Sequence, residues 1–275
     1  MMKYTKIIAA LSLTTLMSGC IVIASTPSRA NFHQHEELTL DARSITAMDI
    51  DTGSGSLIIQ GEAGLTEIRV TADIYTSKKN SDDYELTLTQ SGDTGYLVAK
   101  NNSTSGFWVG DSPHIDITIH LPESLALDVE DGSGSIEVND ILGKLDIKDG
   151  SGSITVKNIG NDTSIHDGSG EIEISQIKGK LDIVDGSGEI TVEDVQGNLT
   201  IDDGSGTIYA KNINGNANID DGSGDLTVNQ VTGIVTIDDG SGSININDAG
   251  GLKIIDDGSG GLKVNNVKGD FEIDS

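Results

Sequence analysis

From residue 131 to the end of the chain, apolar and polar positions repeat with a period of 18. Each period is counted from Asp131, Asp149, Asp167, Asp185, Asp203, Asp221, Asp239 or Asp257. Position 6 then reads Ile136, Ile154, Ile172, Ile190, Ile208, Leu226, Ile244 and Leu262. Position 8 is Val, Ile or Ala210, and position 11 is Ile or Val except at Ala249. Position 17 is Ile in every ring, from Ile147 to Ile273. Alternation at 6/8 and at 15/17 predicts extended strands with one face on a core and the residues between facing water. Glycine fills position 4 of every ring and position 13 of all but one, where Asn161 stands, and it marks the turns between strands. Glycines and period-2 alternation throughout the rings exclude helix.

A three-sided coil of six-residue sides needs an apolar residue at position 5, which instead holds Ser, Glu, Thr, Asp or Gly. Two long sides fit better, with position 11 contributing a third, shorter one. A single ring cannot fold alone. Five buried aliphatics at ~1.5–3 kcal/mol each do not offset ~1–2 kcal/mol of backbone entropy at each of its 18 residues. Stacking ring on ring supplies parallel-strand hydrogen bonds and closes the aliphatic column, so the predicted fold is all-β: a β-solenoid (single-stranded parallel β-helix) of eight 18-residue repeats over 131–275. At about 4.8 Å per coil the rod is roughly 40 Å long. Upstream, "DTGSGSLIIQG" (51–61) is the same turn with Thr52 in the Asp place, and "EIRVTADIY", "YELTLTQ", "YLVAKN" and "HIDITIHLPESLALDVE" alternate as strands. Residues 41–130 read as irregular β coils that cap the solenoid, with "NNSTSGFWVGDSP" as a projecting loop.

The first residues change the picture of where the protein works. "MMKYTKIIAALSLTTLMSGC" has lysines at 3 and 6, an apolar run from Ile7 to Met17, then Ser-Gly-Cys. That is a charged region and an apolar region too short for a membrane span. The ending "LMSGC" resembles the lipobox of bacterial lipoproteins, which implies a signal peptide over 1–19, lipid on Cys20 and a tether over 20–40. Met17 departs from the usual leucine, and a plain cleavage after Ala30 in "PSRA" is the rival reading. Ile21 after the cysteine favours the outer membrane under the usual lipoprotein sorting rule. Cys20 is the one cysteine, so no intramolecular disulfide forms.

Charge narrows the partners. There are 44 acidic and 17 basic residues, a formal charge of −27, and no arginine after Arg69. Nucleic acid, which is held by basic side chains that displace counterions, is excluded as a partner. From the fourth ring the acid doubles, as Asp202-Asp203, Asp220-Asp221, Asp238-Asp239 and Asp256-Asp257. Stacked carboxylates repel by about 0.9 kcal/mol per neighbour in water. Two readings follow: the first Asp of each turn accepts hydrogen bonds from its own Gly-Ser-Gly backbone, and the doubled acids form a weak Ca²⁺ ridge of hard oxygen ligands. No cofactor is required by either.

Other motifs carry less. "SIHDGSG" (164–170) holds Ser, His and Asp, but His166 sits at a solvent position and Asp167 and Ser169 belong to the repeated turn. Catalysis needs a unique, oriented constellation. "HQHEE" (33–37) supplies the residue types of a metal site within the expected tether. Phe107 and Trp108 are candidate contacts for a partner, since aromatics anchor interfaces.

The repeated D-G-S-G-x-I-x-V-x-x-I-x-G-x-L-x-I, behind an export signal and an irregular β region, resembles the bacterial putative-adhesin family of domains of unknown function. It is also similar to the head domain of putative autotransporter adhesins. The resemblance covers about 45–275 and implies an exported β-solenoid without catalytic residues. The expected function is that of a non-catalytic, lipid-anchored envelope protein whose acidic rod serves adhesion or protein or glycan interaction. A periplasm-facing structural or assembly factor is the alternative. A polysaccharide-active β-helix enzyme stands behind both, because no unique basic residue marks a catalytic centre.

Overall fold

The computed structural model describes residues 30, 32–77, 83–102 and 112–273. Ahead of the rings lie β1 (Phe32–Asp41), β2 (Ala47–Thr52), β3 (Ser54–Glu62), β4 (Glu67–Thr76), β5 (Tyr84–Ser91), β6 (Thr94–Asn101) and β7 (His114–Pro122). The first coil is β8 (Ala126–Asp131) and β9 (Ser133–Ile141). Pairs then follow as β10 (Leu145–Asp149) and β11 (Gly152–Ile159), β12 (Thr163–Asp167) and β13 (Ile172–Ile177), and β14 (Leu181–Asp185) and β15 (Gly188–Val195). After β16 (Leu199–Asp203), β17 (Gly206–Ile213) and β18 (Ala217–Asp221), two longer strands, β19 (Leu226–Asp239) and β20 (Ile244–Asp256), serve both sides of their coils. The last coil carries β21 (Leu262–Val267) and β22 (Phe271–Ile273).

The predicted period is the pairing register. Ile147 lies beside Ile165, Ile165 beside Ile183, and Ile183 beside Ile201, each 18 residues on and parallel. The pairings form two ladders. One runs β5–β6–β2–β8–β10–β12–β14–β16–β18 and on into β19, β20 and β22. The other runs β1–β4–β7–β3–β9–β11–β13–β15–β17 and on through β19 and β20 to β21. Positions 6, 8 and 11 of the second ladder face positions 15 and 17 of the first, and these side chains form the continuous core. Three steps separate 8 from 11, which breaks strict alternation. The residue between, at position 10, takes a left-handed conformation in every ring, with φ from 56° at Asn266 to 62° at Gln176. Asn158 is thereby skipped in the ladder while Lys157 and Ile159 pair with Ser175 and Ile177. That left-handed residue kinks every strand at the same place and turns position 11 inward.

The cap is built out of chain order. β2 and β3 stack directly under β8 and β9, as Ile50 beside Val129 and Leu57 beside Ile136. The chain then leaves, lays β6 and β7 beneath β2 and β3, covers β7 with antiparallel β4, and closes with β1 on β4. Residues 32–40, expected as part of a tether, are therefore an ordered edge strand. Leu38 and Leu40 supply the reason, since both pack against the core from this strand.

One ring corrects the expected pattern. Ile255, at position 17, is exposed, while Leu252 and Ile254 are buried. The Gly250-Gly251 turn is one residue short: Val231 pairs with Ala249, but Ile234 pairs with Gly251. Keeping the expected register would have turned Lys253 toward the core beside Ile255, and an unpaired buried ammonium is far costlier than an exposed isoleucine. Ile255 bulges out, and Asp238 and Asp256 pair in register again. In the final coil Ile273 is also exposed, as is Phe271, because no described coil covers them. A central ring behaves as expected. Ile219 is 1% exposed, so Ile219→Ala should lower unfolding free energy by ~2–5 kcal/mol in urea denaturation. A loss under ~0.5 kcal/mol would contradict the register.

Candidate functional site

The acidic turn does two different things with its two acids. In β16 the burial pattern of Leu199–Asp203 alternates, so Ile201 and Asp203 point inward and Asp202 points out. Asp220 and Asp221 in β18 divide the same way. Asp238 faces outward beside buried Asp239, and Asp256 is exposed while Asp257 is half-buried. The doubled acids therefore do not converge into one ridge. Among the described residues, no group of three or more His, Cys, Asp or Glu side chains is placed so that it could hold a metal ion.

The inward acids form a column. Asp131, Asp149, Asp167, Asp185, Asp203 and Asp221 pair in register from coil to coil, and Asp221 pairs with Asp239. Exposure falls from 9% at Asp131 to 0% at Asp239. In four coils the Ser N–H of the turn donates to Oδ1 of its Asp, at 3.2 Å for Asp185, 3.1 Å for Asp203 and 3.0 Å for Asp221 and Asp239. At the base, Thr52 Oγ1 donates to Asp131 Oδ1 at 2.7 Å, which explains threonine in the Asp place. Oδ2 of every member is buried without a partner, as is Oδ1 of Asp149 and Asp167. Desolvation first, and then the neighbouring carboxyls, push Asp149, Asp185 and Asp221 up to about 6. Asp131, Asp167, Asp203 and Asp239 are also raised, again chiefly by burial.

A second feature runs along the left-handed residues of position 10. Asn158, Gln176, Asp194, Asn212 and Gln230 line an open groove of ≈ 680 Å³, with Lys178 beside them. Neighbouring members bond along the rod, as Asn158 Nδ2 to Asp140 Oδ1 at 2.5 Å and Asn212 Nδ2 to Asp194 Oδ1 at 2.9 Å. Sequence reasoning passed over this row. Its signal was a position holding only Asp, Asn or Gln, of which Asp and Asn tolerate the left-handed region best.

The third feature is the outer face of the cap. Four of the five histidines lie there, on β1, β4's partner β7 and their neighbours. His33, Tyr75 and His114 stack in a row across three strands, with ring centroids 4.8 Å and 4.4 Å apart. Asp73 Oδ1 meets His33 Nε2 at 2.7 Å and His35 Nδ1 at 3.0 Å. His120 Nδ1 meets Glu62 Oε1 at 2.6 Å, and Arg69 donates to the same carboxylate at 3.2 Å. His166 stands apart on the solenoid, pointing outward while Asp167 points inward, so the letters of "SIHDGSG" do not converge. Cys20, Phe107 and Trp108 lie outside the described residues.

The fold is similar to three crystal structures. One is a putative cell adhesion protein from Clostridium sporogenes, 14% identical, covering 86% of this chain and 100% of that one, with a TM-score of 0.40. A putative adhesin from Bacteroides fragilis is 14% identical over 88% of this chain and 97% of that one, TM-score 0.40. A putative lipid binding protein from Parabacteroides distasonis is 13% identical over 88% and 97%, TM-score 0.42. No curated protein matches the chain. The Toastrack DUF4097 family model matches residues 45–274, and the chain belongs to that family.

Proposed function

We propose that the protein is a non-catalytic, exported envelope protein that displays its acidic solenoid for adhesion to a glycan or protein, held to the outer membrane by lipid on Cys20. The observation that carries the reading is the amide-lined groove along the rod. A hydrogen-bonding side chain repeats there once per coil, at about 4.8 Å, an amide at Asn158, Gln176, Asn212 and Gln230 and a carboxylate at Asp194. A linear polymer rich in hydroxyls meets such a row with one contact after another, each weak and together selective. The field around the groove is negative, which disfavours anionic polymers and leaves neutral glycans as the better fit.

The test is binding of the purified protein to a glycan panel, with Asn212→Ala and Gln230→Ala introduced together. Both residues are on the surface but take left-handed conformations, which cost alanine about 1–2 kcal/mol each, so circular dichroism and a melting curve first establish that the double variant is folded. Loss of the bound signal in the double variant supports the groove; an unchanged signal, or none with the wild type, removes it. Cys20→Ser should release the protein from membranes, and unchanged fractionation with a mature N-terminus at Asn31 would show the rival cleavage. A second reading, a periplasm-facing assembly factor, is favoured by the exposed Phe271 and Ile273 of the last coil. Protease added outside intact cells separates the two, since only a surface-displayed rod is cut.

A further inference from the structure

We infer that the groove along position 10 takes a linear, neutral glycan whose repeating unit is three sugars long. The period rests on the groove being a binding site, as proposed above. Position 10 reads Asp140, Asn158, Gln176, Asp194, Asn212, Gln230, Asp248 and Asn266. That is an unbroken cycle of Asp, Asn and Gln, completed once every three coils. Copying of a three-coil unit does not account for it, because "GKLDI" recurs at 143–147 and 179–183, two coils apart.

Backbone and packing explain only part of the cycle. All eight residues are left-handed, a conformation that glycine adopts freely and that Asp and Asn tolerate better than other side chains. Glycine fills none of the eight positions in a chain that holds 35 of them, so side chains are kept there against the backbone's preference. Asp and Asn have a use within the rod. Asn158 Nδ2 donates to Asp140 Oδ1 at 2.5 Å, Asn212 Nδ2 to Asp194 Oδ1 at 2.9 Å, and Asn266 to Asp248. An Asp-Asn cycle of two coils would make the same bonds. Glutamine fits the left-handed region worst of the three. Gln176 and Gln230 are exposed, and neither side chain bonds to another of the described residues. Each offers a free amide to the groove, and the two stand three coils apart, about 14 Å.

The groove is long enough to read that spacing. One stretch of ≈ 680 Å³ runs from Asn158 to Gln230, and another of ≈ 510 Å³ continues past Asp248 to Lys268, the two sharing Gln230 and Thr232. Gln196, Asn214 and Thr232 of position 12 line it as well, with buried Val195 between the two rows. Coils follow one another at about 4.8 Å, close to the advance per sugar of an extended pyranose chain, so three coils span one three-sugar unit. Successive units then set the same hydroxyls before Gln176 and Gln230, while the Asp-Asn pairs meet the other two sugars. Joining such contacts in one polymer raises affinity well beyond that of any one alone. Asp140, Asp194 and Asp248 place a carboxylate in every unit, which repels a repeat that carries an anionic sugar.

The experiment is affinity electrophoresis of the full-length chain in gels holding neutral linear polysaccharides with one, two, three or four sugars per repeat. Pullulan is a three-sugar example, and linear amylose is its homopolymer counterpart. Three-sugar polymers should retard the protein most. Gln176→Asn with Gln230→Asn should weaken that binding at least ~10-fold, although both keep an amide and suit the left-handed backbone better. Asn158→Gln with Gln176→Asn keeps the composition and moves one glutamine to the coil before, and it should weaken binding as much. Circular dichroism and melting curves establish that the variants are folded. Strongest retardation by another repeat length, or three-sugar binding that survives both double variants, overturns the proposal. Binding without that preference, yet lost in Asn212→Ala with Gln230→Ala, removes the period and leaves the groove as a glycan site; binding of no polymer removes both.

Discussion

Unfolding free energy should be several kcal/mol higher at about pH 4.5 than at about pH 7.5, the reverse of the usual acid sensitivity of a protein rich in carboxylates. The cause is the Asp column. Its carboxyls are raised in the fold, with Asp149, Asp185 and Asp221 moved from 3.8 to about 6. Between those values the folded state binds more protons than the unfolded state. Stability from these groups is then fully present below 3.8 and is lost as pH rises through about 6. A single carboxyl shifted this far contributes about 2 kcal/mol between the two conditions. The charges acting on the column from outside are all negative: Asp51 at the base, Asp202 and Asp220 along it, and Asp238, Asp256 and Asp257 at the top. None offsets the penalty. The opposing groups act lower on the scale. Asp41 is held to about 2 by Arg43, so its share is present above 3.8 and is lost only as pH falls toward about 2.

Protonation removes the charge from these buried, unpartnered oxygens, and the three most raised members are every second one. Asparagine has the same shape and never carries the charge. Asp149→Asn, Asp185→Asn and Asp221→Asn together should raise stability at about pH 7.5 and flatten the pH dependence. Measurement in about 0.5 M NaCl removes the general repulsion of a chain of charge −27, which salt screens within a few ångströms, while the buried column is screened much less. A flat or rising profile in the wild type, or a triple variant that keeps the slope, would refute the account.

The column was half legible in the sequence. Positions 15 and 17 point inward, so alternation sends the next odd position inward too, and that position is Asp. Reading Asp202-Asp203 as one ridge overlooked that neighbours on a strand face opposite sides. Charge made the residue look like surface, whereas the stacked turn had already enclosed it. The rings themselves were legible because each coil repeats the same demands, and eight copies of Ile or Leu at position 6 leave little to chance. Ile255 was not, since its placement depended on Lys253 and on a glycine pair shortening one turn, and a periodic template weighs neither. The cap was the least legible. Its coil at β2–β3 is separated by a long excursion from the β8–β9 coil it supports, and nothing local in 47–62 says that the partner begins at Ala126. "HQHEE" showed its histidines but not Asp73, because the register between β1 and β4 joins residues about 40 apart.

Gly206→Ala should be among the most damaging single substitutions in the molecule, at least matching Ile219→Ala although it adds only one methyl group. Gly206 has φ of +156°, and a Cβ there would lie 1.6 Å from the carbonyl oxygen of Gly188 in the coil before it. Real contacts of that kind stay beyond about 3 Å, so the corner must open by more than about 1 Å or the methyl cannot enter. Opening breaks the turn ladder, in which Gly206 N donates to Ser223 O at 2.9 Å and Gly188 N to Ser205 O at 3.0 Å. Strained backbone adds of order 1–3 kcal/mol, and the lost turn bonds and core contacts of two coils add more, for an expected total above ~3 kcal/mol. Ser205→Ala is the control. Its backbone is what is engaged, the N–H donating to Asp203 Oδ1 at 3.1 Å and the carbonyl accepting from Gly188 N, and the variant keeps both, so its stability should stay within ~0.5 kcal/mol of wild type. Position in the array should matter as well. In a stack where each coil touches only its neighbours, a break at Gly206 divides the core in two, while Gly260→Ala, at 1.6 Å from Gly242 O, should loosen only the last coil. Hydrogen exchange resolves this coil by coil: Gly206→Ala should expose amides on both sides of the break, and a protection pattern identical for the two glycine variants would show that the coils do not share their stability through the turn.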